Sequence, residues 1–289
     1  MAETDTRTLD AAGATLRYDV RPGTGTDGRP LLLIGSPMDA SGFTTLASHF
    51  ADRTVVTYDP RGVSRSERTD GAPENLPEEH ADDLARLIEA LGGGPVDVFA
   101  SSGGAVNALA LVARRGDLVH TLVAHEPPTA RVLPDREAAL AACADVHATY
   151  LRDGWGAGMV RFIALTSHQG PVPADWSEGP FPAPETFGFP AEDDGSRGDP
   201  LLGRNMRGCT SYLPDFTALR AAPTRIVVAA GKESEGTFAA RAAVGVAEGL
   251  GTPVAVFPSH HGGFLGGEFG QQGAPAEFAE ALRSVLTEG

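Results

Sequence analysis

Mostly apolar runs recur along the chain, separated by stretches whose apolar residues repeat at helical spacing. Such runs are typical of strands buried on both faces of a parallel sheet. They predict strands at LLLIG (31–35), TVVTYD (54–59), VDVFA (96–100), LVHTLVAHE (118–126), TRIVVAAG (224–231) and PVAVFP (253–258). Upstream of them, TRTLDAAGATLRYDV (6–20) alternates on both sides of Ala12–Gly13 and predicts an opening β-hairpin.

Predicted helices lie between these strands. In PEEHADDLARLIEALGG (77–93), four apolar residues repeat at helical spacing before a glycine pair: Leu84, Leu87, Ile88 and Leu91. A second helix is predicted in GGAVNALALVARRG (103–116), and a short one from about Gly42 to Phe50. Alternation of strand and helix implies parallel pairing with right-handed crossovers. The predicted fold class is therefore α/β, with a mostly parallel central sheet flanked by helices.

The alternation breaks after Glu126. For roughly the next hundred residues the sequence contains helical patterns and loops but no convincing buried strand, which is too long for a simple loop. Both tryptophans, Trp155 and Trp176, lie in this stretch. We therefore expect one domain, 1–289, interrupted by an inserted helical lid at about 130–215.

The stretch VDVFASSGGAV (96–106) places two serines between a predicted strand and a predicted helix. A nucleophile on a sharp strand-to-helix turn needs small residues two positions before and two positions after it, because strand and helix cross closely there. These neighbours are Ala100 and Gly104 for Ser102, whereas for Ser101 one of them would be the bulky Phe99. The sterics select Ser102 as the candidate nucleophile.

A nucleophilic serine also needs oxyanion donors, a base and an acid. The Gly103 amide, and the amide or hydroxyl of Ser36 in GSPMDASGF, are the candidate donors. Of eight histidines, His260 and His261 follow the last predicted strand, where α/β sheets present catalytic groups. We choose His261 because it directly precedes Gly-Gly-Phe.

Two carboxylates are candidates for the acid that orients the base, because both follow strands. Glu126 precedes Pro127–Pro128, which would hold the strand end stiffly, and is favoured. Glu233, in AAGKESE, is the alternative.

Taken together, these segments resemble the α/β-hydrolase superfamily over nearly the whole chain, as a serine-nucleophile, esterase-like member. The resemblance rests on LLLIGSPMD, VTYDPRGVSRSE, VDVFASSGGAVNALALVARRGD, LVAHEPP and VFPSHHGGF, in the order that this family uses. It implies that Asp59 and Arg61 tie loops together. The family's acid is usually an Asp three residues after the Gly that ends the strand matching RIVVAAG, but here that position is Ser234. Some relatives carry a Glu at the end of the preceding strand instead, which Glu126 matches.

The resemblance implies a serine hydrolase that cleaves a carboxylic ester of a small molecule through an acyl-enzyme, without a metal or cofactor. Relatives that cleave epoxides or carbon–halogen bonds carry Asp at the nucleophile position. The lid is expected to supply an apolar pocket with Trp155, Phe162 and Trp176, although for each of them packing of the lid is the commoner role. The alternatives are a thioesterase, a lactonase or a carbon–carbon bond hydrolase of specialised metabolism, and a non-catalytic small-molecule-binding relative.

Composition narrows the possible partners. The 23 basic and 38 acidic residues give a net charge of −15, which argues against nucleic-acid or anionic-membrane binding. No apolar run approaches the roughly 20 residues that cross a bilayer, and the polar N-terminus does not resemble a signal peptide. A cytoplasmic location is expected by default, and there Cys143 and Cys209 are expected to be free, buried thiols.

Overall fold

The computed structural model describes residues 4–25 and 28–287, so residues 1–3, 26–27 and 288–289 of the predicted domain lie outside it. The strands of the described residues are β1 (Asp5–Ala11), β2 (Ala14–Arg21), β3 (Leu31–Ile34), β4 (Val55–Tyr58), β5 (Glu67–Arg68), β6 (Val96–Ser101), β7 (Val119–His125), β8 (Arg225–Gly231) and β9 (Ala255–Phe257). The α-helices are α1 (Thr44–Ser48), α2 (Pro77–Ala90), α3 (Gly103–Arg115), α4 (Arg136–Asp153), α5 (Trp155–Ser167), α6 (Met206–Ser211), α7 (Phe216–Ala221), α8 (Phe238–Leu250) and α9 (Pro275–Thr287).

The strands form one mixed sheet in the order β1-β2-β4-β3-β6-β7-β8-β9. From β4 to β9 every neighbouring pair is parallel, whereas β2 pairs antiparallel with β1, β4 and the two-residue β5. The predicted α/β class, the opening hairpin and the parallel centre of the sheet are therefore confirmed. β5 was not predicted, because two residues carry no periodic signal.

Apolar layers cover both faces of the sheet. All four residues of β3 are buried. Alternate residues of this strand belong to two different clusters: Leu32 and Ile34 pack with α2, α3 and α8, and Leu31 and Leu33 pack with α1 and α9. The continuous apolar run of β3 thus reflects helices on both sides of the sheet.

The 99 residues between β7 and β8, 126–224, are called the β7–β8 segment below. All of them are described, and they include α4 to α7 but no strand. Helices α4 and α5 pack on each other around an apolar cluster of their own, which Phe238 and Ala242 of α8 join.

Asp59 and Arg61 hold loops near the carboxyl ends of the strands, as the resemblance implied. Asp59 Oδ1 accepts a hydrogen bond from the Ala40 amide at 3.0 Å and so fixes the loop after β3. Arg61 forms a buried bidentate pair with Asp83 of α2, with N–O distances of 2.8 and 2.7 Å.

Candidate active site

Ser102 lies at the turn between β6 and α3 with a strained backbone, at φ 57° and ψ −129°. A positive φ is unfavourable for a residue with a side chain and persists only where the surrounding structure imposes it. Ser102 is half-buried, whereas Ser101 and Phe99 are 2% and 0% exposed. Of the two serines, only Ser102 is therefore accessible to a ligand.

The two glycines after Ser102 permit the close approach that the turn requires. A Cβ on Gly104 would lie 2.6 Å from the carbonyl oxygen of Ile34 in β3, and a Cβ on Gly103 would lie 2.5 Å from the carbonyl oxygen of Ser36. Both distances are shorter than van der Waals contact allows, so any larger residue would push the helix away from the sheet. The steric argument that selected Ser102 from the sequence is consistent with this geometry.

Glu126 directly follows β7 and is fully buried, with a positive φ of 49°. Its amide donates to the carbonyl oxygen of Ala229 at 2.9 Å, and its Oε1 accepts from the Gly231 amide at 2.8 Å. Both partners are in β8. The carboxylate is thus fixed to the end of the neighbouring strand.

The other carboxylate oxygen of Glu126 accepts a hydrogen bond from His261 Nδ1, at 2.5 Å. The His261 side chain is 45% exposed, so its ring joins a buried acid to the open side of the site. Burial alone would raise the pKa of Glu126, but the hydrogen bond and charge interaction with His261 outweigh it and lower this pKa to about 2. The acid is therefore ionised at neutral pH.

The other candidate base, His260, and the other candidate acid, Glu233, do not form such a pair. His260 contacts its own loop, through the Gly262 amide at 3.0 Å and the Gln272 carbonyl oxygen at 3.1 Å. Glu233 is exposed, and in the described part of the chain its carboxylate makes no side-chain hydrogen bond to either histidine. Geometry therefore pairs His261 with Glu126.

A cavity of about 540 Å³ opens above these groups, and Ser102, Glu126 and His261 all line it. The β7–β8 segment contributes apolar lining residues, among them Met159, Phe162, Ile163, Leu165, Leu201 and Met206. Polar lining residues from the rest of the chain include Glu233, Thr237, His260 and Gln271. Among the described residues that line the cavity there is neither Lys nor Arg.

Both predicted oxyanion donors also line the cavity. The Gly103 amide belongs to the first turn of α3, where N–H groups lack an intrahelical acceptor and can bind an anion. Ser36 is 5% exposed, and its hydroxyl donates to Asn205 Oδ1 at 3.2 Å. That leaves its backbone amide as the candidate oxyanion donor.

Of the three aromatic residues predicted to contact substrate, only Phe162 lines the cavity. Trp155 and Trp176 do not belong to the described lining, so their contact with substrate stays a prediction. Trp155 packs edge-on against Phe189 and donates its indole N–H to Asp199 at 3.1 Å. Trp176 packs against His168 and Phe181. Both rings are engaged within the β7–β8 segment instead.

Sequence reasoning missed several cavity residues. Asn205 follows no strand and belongs to no motif, and it reaches the site through a contact between residues 169 positions apart. Cys143 and Cys209 are free and buried, as predicted, but both also line the cavity. Burial raises the pKa of each thiol to about 12, so neither is a thiolate at neutral pH.

Comparison with known proteins shows the family of the chain. The family model for the α/β-hydrolase fold matches residues 31–168. The chain is 31% identical to the uncharacterized hydrolase YraK of Bacillus subtilis, over 96% of this chain and 95% of that protein. The chain belongs to the α/β-hydrolase superfamily. The similarity to YraK extends well past residue 168, so the β7–β8 segment and the loop that carries His261 fall within it.

Solved structures share the fold at lower identity. A thermophilic esterase from Thermogutta terrifontis aligns over 99% of both chains, with 20% identity and a TM-score of 0.65. An enol-lactonase from Burkholderia xenovorans aligns over 97% of this chain and 100% of its own, with 15% identity and a TM-score of 0.64. At these identities the comparisons show the common α/β-hydrolase fold.

Among residues 4–25 and 28–287, no helix combines the length and apolar character that spanning a membrane requires.

Proposed function

We propose that this α/β hydrolase is a serine esterase that cleaves carboxylic esters of small, uncharged molecules. The observation that carries the proposal is that three groups line one cavity: a strained, accessible serine, a half-exposed histidine and a buried, ionised glutamate hydrogen-bonded to that histidine. Acyl transfer through a serine requires these three kinds of group.

The reaction would proceed in two halves. Ser102 Oγ attacks the ester carbonyl while His261 Nε2 takes its proton, and the amides of Gly103 and Ser36 hold the tetrahedral oxyanion. Collapse breaks the bond to the alcohol, which leaves with the proton from His261. Water, deprotonated by His261, then attacks the acyl-enzyme and releases the acid and Ser102. Glu126 fixes the Nδ1–H tautomer and stabilises the imidazolium in each half.

The β7–β8 segment would act as the lid. Its apolar residues line the cavity, so we assign them, Phe162 included, to binding the apolar part of the substrate. A lining that includes Glu233 and, in the described part of the chain, neither Lys nor Arg disfavours substrates that carry a carboxylate.

The test is turnover of para-nitrophenyl butanoate by the wild type and by Ser102→Ala. We expect hydrolysis by the wild type and loss of at least about a thousandfold in kcat in the variant. The same assay on a matched thioester and a lactone separates an esterase from a thioesterase or lactonase.

A non-catalytic binder would bind the ester without hydrolysing it. Equal, low rates for the wild type and the variant would support that function and refute an esterase.

A further inference from the structure

A cluster of buried polar side chains lies beneath the loop that carries Ser36. Its members are Ser36, Asn75, His80 and Asn205, and none exposes more than 5% of its surface. They meet at one atom, Asn205 Oδ1, which lies 3.2 Å from Ser36 Oγ, 3.1 Å from His80 Nε2 and 3.5 Å from Asn75 Nδ2. Buried polar groups arranged in this way rigidify their surroundings when they are paired.

The orientation of the Asn205 amide follows from its second contact. Asn205 Nδ2 donates to the carbonyl oxygen of Pro200 at 2.7 Å, so Oδ1 is the atom that faces the cluster. An amide oxygen only accepts, so the Ser36 hydroxyl must donate to it and His80 must carry its proton on Nε2. Burial lowers the pKa of His80 to about 4, which keeps this histidine neutral at neutral pH.

Asn205 belongs to the β7–β8 segment, at the end of a π-helical turn, Pro200–Asn205. This turn is docked on the chain that precedes α2. The backbone amide of Asn75 donates to the backbone carbonyl oxygen of Arg204 at 2.9 Å. A Cβ on Gly208 would lie 2.5 Å from the backbone carbonyl oxygen of Asn75. Asn205 is thus held from both sides while its side chain reaches Ser36.

The hydrogen bond between Asn205 and Ser36 affects the site because Ser36 packs directly on the turn that carries the proposed nucleophile, Ser102. The carbonyl oxygen of Ser36 lies 2.5 Å from where a Gly103 Cβ would stand, so a shift of Ser36 changes the gap between the two proposed oxyanion donors. Oxyanion donors act only at the correct distance, and misplacement by about 1 Å can cost about a hundredfold in rate.

We propose that Asn205 is a positioning residue: it holds the Ser36 hydroxyl and thereby sets the Ser36 amide for the oxyanion. This role rests on the proposed serine esterase function. The β7–β8 segment would then contribute to the chemical step as well as to substrate binding. Because the oxyanion forms in the transition state, the effect is expected in kcat rather than in KM.

The experiment is a double-mutant cycle of Asn205→Ala and Ser36→Ala. The readouts are kcat and KM for para-nitrophenyl butanoate, and the rate at which a fluorophosphonate labels the protein. We expect each single variant to lower kcat and the labelling rate about tenfold or more, with KM within about twofold. The double variant should be no worse than either single one, because both remove the same hydrogen bond.

Asn107→Ala is the matched control, since Asn107 of α3 is also a fully buried asparagine but lies outside the cluster. It should leave kcat and the labelling rate each within about twofold of the wild type. Thermal melting reports folding, and if Asn205→Ala does not fold, Ser36→Ala alone tests the contact because it removes a single oxygen.

Additive effects in the double variant would refute positioning through Ser36. An effect confined to KM would refute it too and would make Asn205 a substrate contact. Equal kcat and labelling rates in the wild type and Ser36→Ala would also refute it. Absence of ester turnover and of labelling in the wild type would instead refute the esterase function itself.

Discussion

Replacement of Glu126 by Gln tests the proposed acid while preserving its shape. Oε1 of Glu126 accepts from the Gly231 amide at 2.8 Å, so the oxygen of a glutamine at this position would take that place. Its NH2 group would then face His261 Nδ1, which could only accept. The imidazole proton would move to Nε2, the atom that must receive the proton of Ser102, and the base would be held in the wrong tautomer.

The size of the effect can be worked from the charge interaction. The pKa of Glu126 is about 2 rather than its ordinary 4.5, despite burial that acts in the opposite direction. At about 1.4 kcal/mol per pKa unit, this lowering of the Glu126 pKa corresponds to about 3 kcal/mol of net interaction favouring the carboxylate. If the imidazolium-like transition state loses an interaction of this order, turnover falls by about 10²–10³-fold. The tautomer effect adds to this loss.

The assay is kcat for para-nitrophenyl butanoate at neutral pH, with Glu233→Gln as the matched variant at the other candidate acid. Glu126→Gln should lower kcat by at least about a hundredfold, and Glu233→Gln by far less. Thermal melting of both variants separates loss of turnover from loss of folding. The reasoning is refuted if the Glu233 variant loses the hundredfold and the Glu126 variant keeps most of its activity.

Three further predictions follow from the structure. Burial lowers the pKa of His125 to about 4 from 6.5, so this residue contributes stability above pH 6.5 that is lost as the pH falls toward 4, about 3 kcal/mol in all. Urea unfolding between these pH values should show that the free energy of unfolding depends less on pH in His125→Phe than in the wild type. Identical pH dependences would contradict a buried, neutral His125. Phe162→Ala should raise KM for para-nitrophenyl butanoate severalfold. Trp176→Phe should leave KM within about twofold, because Trp176 lies outside the cavity lining. A larger rise of KM in the Trp176 variant than in the Phe162 variant would contradict the proposed substrate pocket. The kcat/KM for a neutral ester should exceed that for its carboxylate-bearing analogue by more than about tenfold at low salt. This ratio should fall in Glu233→Gln but not in Glu235→Gln, because Glu235 lies outside the lining. An unchanged ratio in the Glu233 variant would contradict a role of the Glu233 charge.

The sequence pattern predicted the elements that strong local signals define. The apolar runs correspond to β3, β4, β6, β7, β8 and β9. The central strands have no polar side because helices cover both faces of the sheet there, whereas Val256 of the edge strand β9 is 70% exposed. The choice of Ser102 over Ser101 needed only the size of the residues two positions away. The choice of Glu126 over Glu233 needed the two prolines that follow it, because both carboxylates follow strands.

The contacts that depend on long-range packing were not predictable in this way. Asn205 reaches Ser36 only because the π-helical turn docks on the chain before α2, and no local pattern encodes that docking. Substrate contact by Trp155 and Trp176 could not be decided from the sequence, because a residue's presence in the β7–β8 segment does not determine which way its ring faces. Their rings found partners inside the segment, whereas Phe162 faces the cavity.

The proposed function requires that the Ser102 oxygen reacts with an acyl-type electrophile with the help of His261. Mass-spectrometric mapping of the protein after fluorophosphonate treatment measures this reaction directly. We expect one adduct, on Ser102, formed at least about a hundredfold more slowly in His261→Ala and absent in Ser102→Ala. An adduct on another residue, or a labelling rate at Ser102 that does not depend on His261, would refute the proposed nucleophile and base.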